Sequence, residues 1–139
     1  MAAGKEPVRA FRVLPLPLSR VRELYARRLT ADFPPDELKP LSAIEEALAR
    51  DSYFCCGAMD GEEILAYAFF VKNGTNALVD YFAVRSDLRD RGVGSRFLGQ
   101  LIAGDTLKAY GCVLLETDDP DAARDLLCGF RDRIGEGCP

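Results

Sequence analysis

Histidine is absent from this chain of 139 residues. Without it there can be no Ser-His-Asp or Cys-His nucleophile system and no histidine-ligated metal. The five cysteines, Cys55, Cys56, Cys112, Cys128 and Cys138, are odd in number and show no CxxC spacing. They read as small buried hydrophobes of a reducing cytoplasm, and no metal is expected. Long apolar runs are missing as well. Met1 to Pro7 carries no apolar signal region and no stretch approaches the length of a membrane span, so the expectation is a soluble, cytoplasmic protein without a membrane partner. Positive charge is in deficit, with 18 Lys and Arg against 22 Asp and Glu and a net charge of −4. That disfavours nucleic acid as a partner, since such binding rests on many cations neutralising phosphates. A cationic or amine substrate suits the acidic remainder better. No repeat, low-complexity block or long linker divides the chain. With 48% of its residues apolar, it has material for one core, and a single domain over 1–139 is expected, structured from about residue 8 to 135 with tails at 1–7 and 136–139.

What is present reads as alternating strands and helices. Val8 to Leu14 predicts a first strand ended by Pro15 and Pro17. Ser19 is placed to cap a helix whose apolar face is Val21, Leu24, Tyr25 and Leu29. Phe33 to Pro40 is a proline-stiffened loop. Ser42-Ala43-Ile44-Glu45 has capping-box spacing and opens a short helix to about Arg50. A meander follows: Tyr53 to Met59, a turn at Asp60-Gly61, Glu63 to Val71 as a central strand, a turn at Asn73-Gly74, and Ala77 to Val84. A helix is then expected to about Ala109, weakened by Gly104 and ended by Gly111. Cys112 to Glu116 predicts a parallel strand, and a last helix runs from Asp121 to about Ile134.

The most informative segment joins the last antiparallel strand to the helix after it: Val84-Arg85-Ser86-Asp87-Leu88-Arg89-Asp90-Arg91-Gly92-Val93-Gly94. Helix-initial N–H groups lack internal acceptors and carry partial positive charge, which makes such a junction an anion site. Gly92 and Gly94 would let a phosphate approach the backbone, and Arg85, Arg89, Arg91 and Arg96 would surround it. No G-K-[ST] follows, so this is not a P-loop. Phe97 stands at the third glycine position of a dinucleotide fingerprint, and the preceding topology is antiparallel, so that reading fails too.

Arg89-Asp90-Arg91-Gly92-Val93-Gly94 matches the Q/R-x-x-G-x-G/A pattern, and in this strand-turn-helix context the chain resembles the GNAT family of acyl-CoA N-acyltransferases. The resemblance implies an α/β fold, with a mixed, mostly antiparallel sheet flanked by helices and lacking the last two strands of the family's sheet. It implies acetyl-CoA as acyl donor. The pyrophosphate would lie on the amides of Arg89, Asp90, Arg91, Gly92, Val93, Gly94 and Ser95, and the pantetheine arm along Phe82, Ala83 and Val84. The Val84 amide would steady the oxyanion.

A base must also take a proton from the amine, and Asp80 and Glu116 are the candidates. Alternation places Asp80 on the face of Leu78, Phe82 and Val84, where burial would raise its pKa; a pair with an arginine or a tyrosine hydroxyl would instead make it structural. Glu116 ends its strand where the acyl group should sit, or is simply a solvated strand terminus. The stiff loop should border the acceptor, with Asp36 and Glu37 to receive an amine and Tyr25 or Phe33 as an apolar wall; otherwise it is an exposed charged loop with buried prolines.

Two features depart from the family. Arg131 stands where many members carry a tyrosine that protonates the leaving thiolate. The sheet edge beside Val113 to Glu116 is left open, which predicts a homodimer through that edge. The sequence therefore supports two functions: an N-acetyltransferase using acetyl-CoA on a primary amine of a small molecule or peptide, or a CoA-binding module acting as a sensor or partner subunit.

Overall fold

A computed structural model describes residues 10–104, 107, 110 and 112–115. Expectations for Val8, Gly111, Glu116, the last helix and both tails lie outside the described residues. Among the described residues the sheet has five strands in the order β1-β2-β3-β4-β5: β1 Arg12–Pro15, β2 Tyr53–Asp60, β3 Glu63–Asn73, β4 Asn76–Val84 and β5 Cys112–Leu115. The first three pairings are antiparallel and β4–β5 is parallel. Helix α1 (Leu18–Leu24) continues through a π-helical turn (Tyr25–Leu29) into a last α turn (Thr30–Asp32). Helix α2 is Leu41–Ala49 and α3 is Val93–Ala103.

Strand β3 is central because its residues suit burial on both faces. Ile64 to Phe70 are all buried without interruption. One face packs against α3 through Phe70, Val79, Leu88, Val93, Phe97 and Leu101. The other packs against α1 and α2 through Val21, Leu24, Leu29, Ile44, Tyr67 and Phe69. Leu24 and Leu29 are five residues apart and both are buried; the wider π turn between them fits that spacing.

Turn chemistry accounts for the hairpins. Asp60 pairs with Glu63 and Asn73 with Asn76, and Gly61 and Gly74 take the positive φ values of 63° and 62° that the two-residue turns require. The predicted caps are absent, however. Pro17 and Pro40 occupy the cap positions of α1 and α2 without side-chain bonds, since a proline before the first turn presets the chain and has no N–H to satisfy. Glu45 instead pairs with Arg22 across the two helices. Helix α3 ends six residues earlier than the periodicity suggested. Gly104 leaves it in an extended conformation, with its N–H still bonded to Gln100 O at 2.9 Å.

Two register shifts interrupt the ladders. One makes Leu65 an extra residue of β3, because Ala58 pairs with Ala66 and Met59 with Ile64. The other makes Asp80 an extra residue of β4, because Phe70 pairs with Val79 and Phe69 with Tyr81. An extra residue reverses side-chain alternation beyond it.

Cys55 and Cys56 sit on opposite faces of β2, and both are buried. Burial pushes the Cys56 thiol up to about 12 and Cys55 higher still. Since the thiolate is the reactive form, both should resist alkylation in the native protein at pH 8 and react on unfolding. Peptide mapping after iodoacetamide labelling checks this; native labelling of either would contradict the packing.

Candidate active site

Past β4 the chain makes a single 3₁₀ turn, Ser86–Leu88. Buried Leu88 anchors it, and its N–H bonds Arg85 O at 2.9 Å. Arg85 N–H bonds Leu65 O at 2.9 Å, keeping the strand end tied to β3. The Arg85 side chain forks onto Asp87 at 2.6 and 3.0 Å, and those bonds hold the Asp87 carboxyl below its ordinary range. Asp90 and Gly92 then take left-handed conformations, with φ of 65° and 81°. Gly92 is the N-cap of α3 and has no side-chain capping bond. The first helical bond is Arg96 N–H to Gly92 O, 3.1 Å. Val93, Gly94 and Ser95 precede it, so their N–H groups have no acceptor inside the helix.

The two glycines do different work. A Cβ on Gly92 would meet nothing within 4 Å, so the outer side of the turn is open. A Cβ on Gly94 would lie 3.2 Å from Val84 Cγ2 and 3.6 Å from Phe82 Cε1. Gly94 therefore permits the close approach of α3 to β4, rather than the access for a phosphate expected from the sequence. The arginines are also less gathered than expected. Arg85 is held by Asp87, and the Arg96 guanidinium lies 5.8 Å from the Phe11 ring centre. Arg89 turns back from the junction: its Nε donates to Val84 O at 3.1 Å and its Nη2 reaches Asp32 Oδ1 at 3.4 Å.

A cleft of about 300 Å³ opens here, lined by Asp32, Phe33, Phe82, Ala83, Val84 and Arg89. Strand geometry orients its backbone. Arg85 N–H points to β3, so the alternating N–H and C=O groups of Val84 and Phe82 point the other way. The Arg89 bond to Val84 O marks that direction. The described pairing of β4 with β5 spans Asn76 to Val79, stopping beside the extra residue Asp80.

Asp32 and Tyr67 escaped the sequence reading. Tyr67 is fully buried in β3, and its hydroxyl donates to Asp32 Oδ2 at 2.7 Å. Burial and then this bond push its phenol well above the ordinary value. Arg28 lies over the same ring at 5.3 Å and donates to Ile64 O at 2.6 Å. Burial lowers its pKa, a trend that Tyr67 and Asp32 oppose. Both residues left a signal. Asp32 is an acid at the C-terminal end of a helix, where the dipole disfavours it. Tyr67 is the sole hydroxyl in an apolar run and, once buried, needs a partner.

Asp80 is not where alternation placed it. As the extra residue of β4 it shares the face of Tyr81, while Phe82 and Val84 belong to the opposite face. Tyr53 donates to its Oδ2 at 2.6 Å and Lys39 Nζ lies 2.7 Å from the same oxygen. Burial, followed by the bond to Asp80, drives the Tyr53 phenol far above its ordinary value. The Phe33–Pro40 loop is fastened to the same patch. Lys39 N–H donates to the Tyr81 hydroxyl at 2.8 Å, that hydroxyl donates to Glu37 O at 3.2 Å, and Tyr25 donates to Lys39 O at 2.6 Å. Phe33 packs edge-on against Tyr81 at 5.0 Å. Asp36 and Glu37 are exposed, as are Pro34, Pro35 and Pro40, so the acid that lines the cleft is Asp32. Among the described residues no three His, Cys, Asp or Glu side chains gather as metal ligands, and no helix is long and apolar enough to cross a membrane.

The sequence profile of the acetyltransferase (GNAT) family matches residues 18–130. The chain belongs to the GNAT acetyltransferases. No curated protein matches it in sequence. Among solved structures, a GNAT-family protein from Bacteroides thetaiotaomicron superposes with a TM-score of 0.64 at 21% identity, over 87% of this chain and 70% of the other. A Bacillus subtilis acetyltransferase solved in complex with CoA gives 0.60 at 18%, over 85% and 73%. An aminoglycoside acetyltransferase from an uncultured soil metagenomic sample gives 0.59 at 14%, over 88% of each chain. At these identities the likeness is one of fold, and it extends to the mixed sheet and its flanking helices.

Two predictions follow from the packing and the phenols. Gly94→Leu should cost about 1–3 kcal/mol by overpacking the α3–β4 contact; Gly92→Ala should cost about 1–2 kcal/mol through its positive φ alone, both read from urea midpoints. Folded-state pKa values raised above the unfolded ones mean that the native state keeps protons the unfolded chain loses. Stability should therefore be intact below about pH 8.5, fall as unfolded thiols ionise, and fall faster above about 10 as phenols do. Tyr53→Phe should flatten the upper part of that decline in urea midpoints; an unchanged slope would exclude Tyr53 as a contributor.

Proposed function

We propose that this chain is an N-acetyltransferase that moves an acetyl group from acetyl-CoA to a primary amine of a small molecule or peptide. One observation carries the reading: the strand end lining the cleft leads directly into a turn whose helix-initial amides lack helical acceptors and whose outer side is open at Gly92. Oriented amides of this kind suit a pyrophosphate. The amides from Arg89 to Ser95 would hold it, and the outward N–H and C=O groups of Phe82 and Val84 would pair with the pantetheine arm. A Bacillus subtilis protein of the same fold was solved with CoA, which supports that choice of donor.

The bound thioester supplies the acetyl group and a leaving thiolate. The protein has to hold the carbonyl, admit the amine and accept a proton. In this reading Val84 N–H receives the oxyanion. Attack in this reading is direct: among the described residues, Cys55 and Cys56 are buried with raised pKa values and are unsuited to carry the acyl group. Thiols leave readily, since their pKa is ordinarily about 8.5. Asp80, bonded to Tyr53 and Lys39, serves in this reading to fix the loop that walls the acceptor side.

Thermal shift with CoA, together with free-thiol release from acetyl-CoA and an amine panel, tests the proposal. At a hundredfold excess over Kd, CoA should stabilise the fold by about 2.7 kcal/mol, and thiol release should depend on amine. Gly92→Leu should abolish the shift by filling the phosphate's place. Asp80→Asn should lower turnover while leaving the shift intact. A shift without turnover on any amine would support a CoA-binding module instead, and no shift would sink both readings.

A further inference from the structure

We infer that Asp32 is the residue that receives the acceptor's ammonium group and takes its proton, and that Tyr67 positions it. This rests on the acetyl-transfer reading and names the acceptor class for that same cleft: cationic primary amines with an apolar stem. Asp32 is the carboxylate lining the cleft, with its side chain 18% exposed. One oxygen is spoken for: Oδ2 accepts from the buried Tyr67 hydroxyl at 2.7 Å, which fixes the orientation of the carboxylate. The other, Oδ1, faces a cation at 3.4 Å, and that cation is Arg89.

Arg89 here acts as a stand-in for a substrate. Its Nη2 occupies the place of an ammonium beside Asp32, while its Nε sits on the Val84 carbonyl that the pantetheine arm would need. A single guanidinium thus spans the acceptor carboxylate and the backbone of the donor site, which places Oδ1 within one side chain of Val84. The contact to Asp32 is long and Arg89 is half exposed, so it is readily displaced. A pyrophosphate on the turn draws Arg89 outward, since arginine bonds phosphate more strongly than a carbonyl. Asp32 is then left facing the cleft without its cation. Phe33 and Phe82 line the same cleft and match an apolar stem. An ammonium entering this place gives one proton to Asp32, its nitrogen lone pair attacks the thioester carbonyl, the carbon–sulfur bond breaks, and the thiolate takes the second nitrogen proton. Asp32 then returns its proton to solvent.

The test compares phenethylammonium with 2-phenylethanol, which differs in having no charge, by titration calorimetry on the CoA-loaded protein. The wild type should prefer the cation by about tenfold or more, the range of a charge-assisted hydrogen bond. Asp32→Asn should erase that preference and Tyr67→Phe should reduce it, with the CoA thermal shift unchanged in both. In acetylation of phenethylamine, Asp32→Asn should lower kcat as well as raise KM for the amine, whereas KM for acetyl-CoA should hold. Arg89→Met without CoA should bind the cation better than the wild type without CoA, since the stand-in is gone; this arm decides the role of Asp32 even if CoA gives no shift, in which case the acetyl-transfer reading fails separately. Equal binding of cation and alcohol by the wild type, or a preference that survives in Asp32→Asn, would overturn the inference.

Discussion

One inserted residue in β4 governs the site. Up to Val79 the strand pairs on both edges, with β3 and with β5, and its odd-numbered residues face α3. Asp80 has no partner of its own on β3, and beyond it the alternation is reversed. Tyr81 turns toward α1 while Phe82 and Val84 turn toward α3. The same strand can therefore hold the Phe33–Pro40 loop with one residue and pack the amide-bearing helix with the next. Without the extra residue, Tyr81 and Val84 would exchange faces, and both sets of contacts would be lost together.

The order of elements was open to reading from the sequence because it depends on local chemistry. Continuous burial of β3 is written in its unbroken apolar run, and the hairpins in Gly61 and Gly74, where positive φ is required. The junction at Gly92 was legible for the same reason. Register was not. Nothing in Val79-Asp80-Tyr81 announces that Asp80 is surplus, since the count depends on β3 opposite it. The error over the face of Asp80 follows from that one residue. The caps failed differently: Ser19 and Ser42 are good cap types, but prolines already stood at the positions where the helices begin.

The cleft was half legible. Phe82, Ala83 and Val84, which the family resemblance singled out, line it, and so does Phe33. Asp32 and Tyr67 were missed because their pairing joins residues 35 positions apart, and neither has a motif. What marks them is discomfort: an acid against the helix dipole and a hydroxyl in an oily strand, each relieved by the other.

The π-helical turn of Tyr25–Leu29 has a consequence for how this site tolerates change in chain length. The wider turn absorbs one extra residue, so Leu29 and the residues after it, Asp32 among them, keep the phase that the buried stripe of α1 sets before it. An ordinary α-helix of the same length would turn the acid by about a quarter-turn, away from Tyr67 and the cleft, whereas loss of one residue within the turn would restore an ordinary helix and leave the acid facing where it does. In this protein the loss of one residue from that turn would disturb the site less than its tightening at full length.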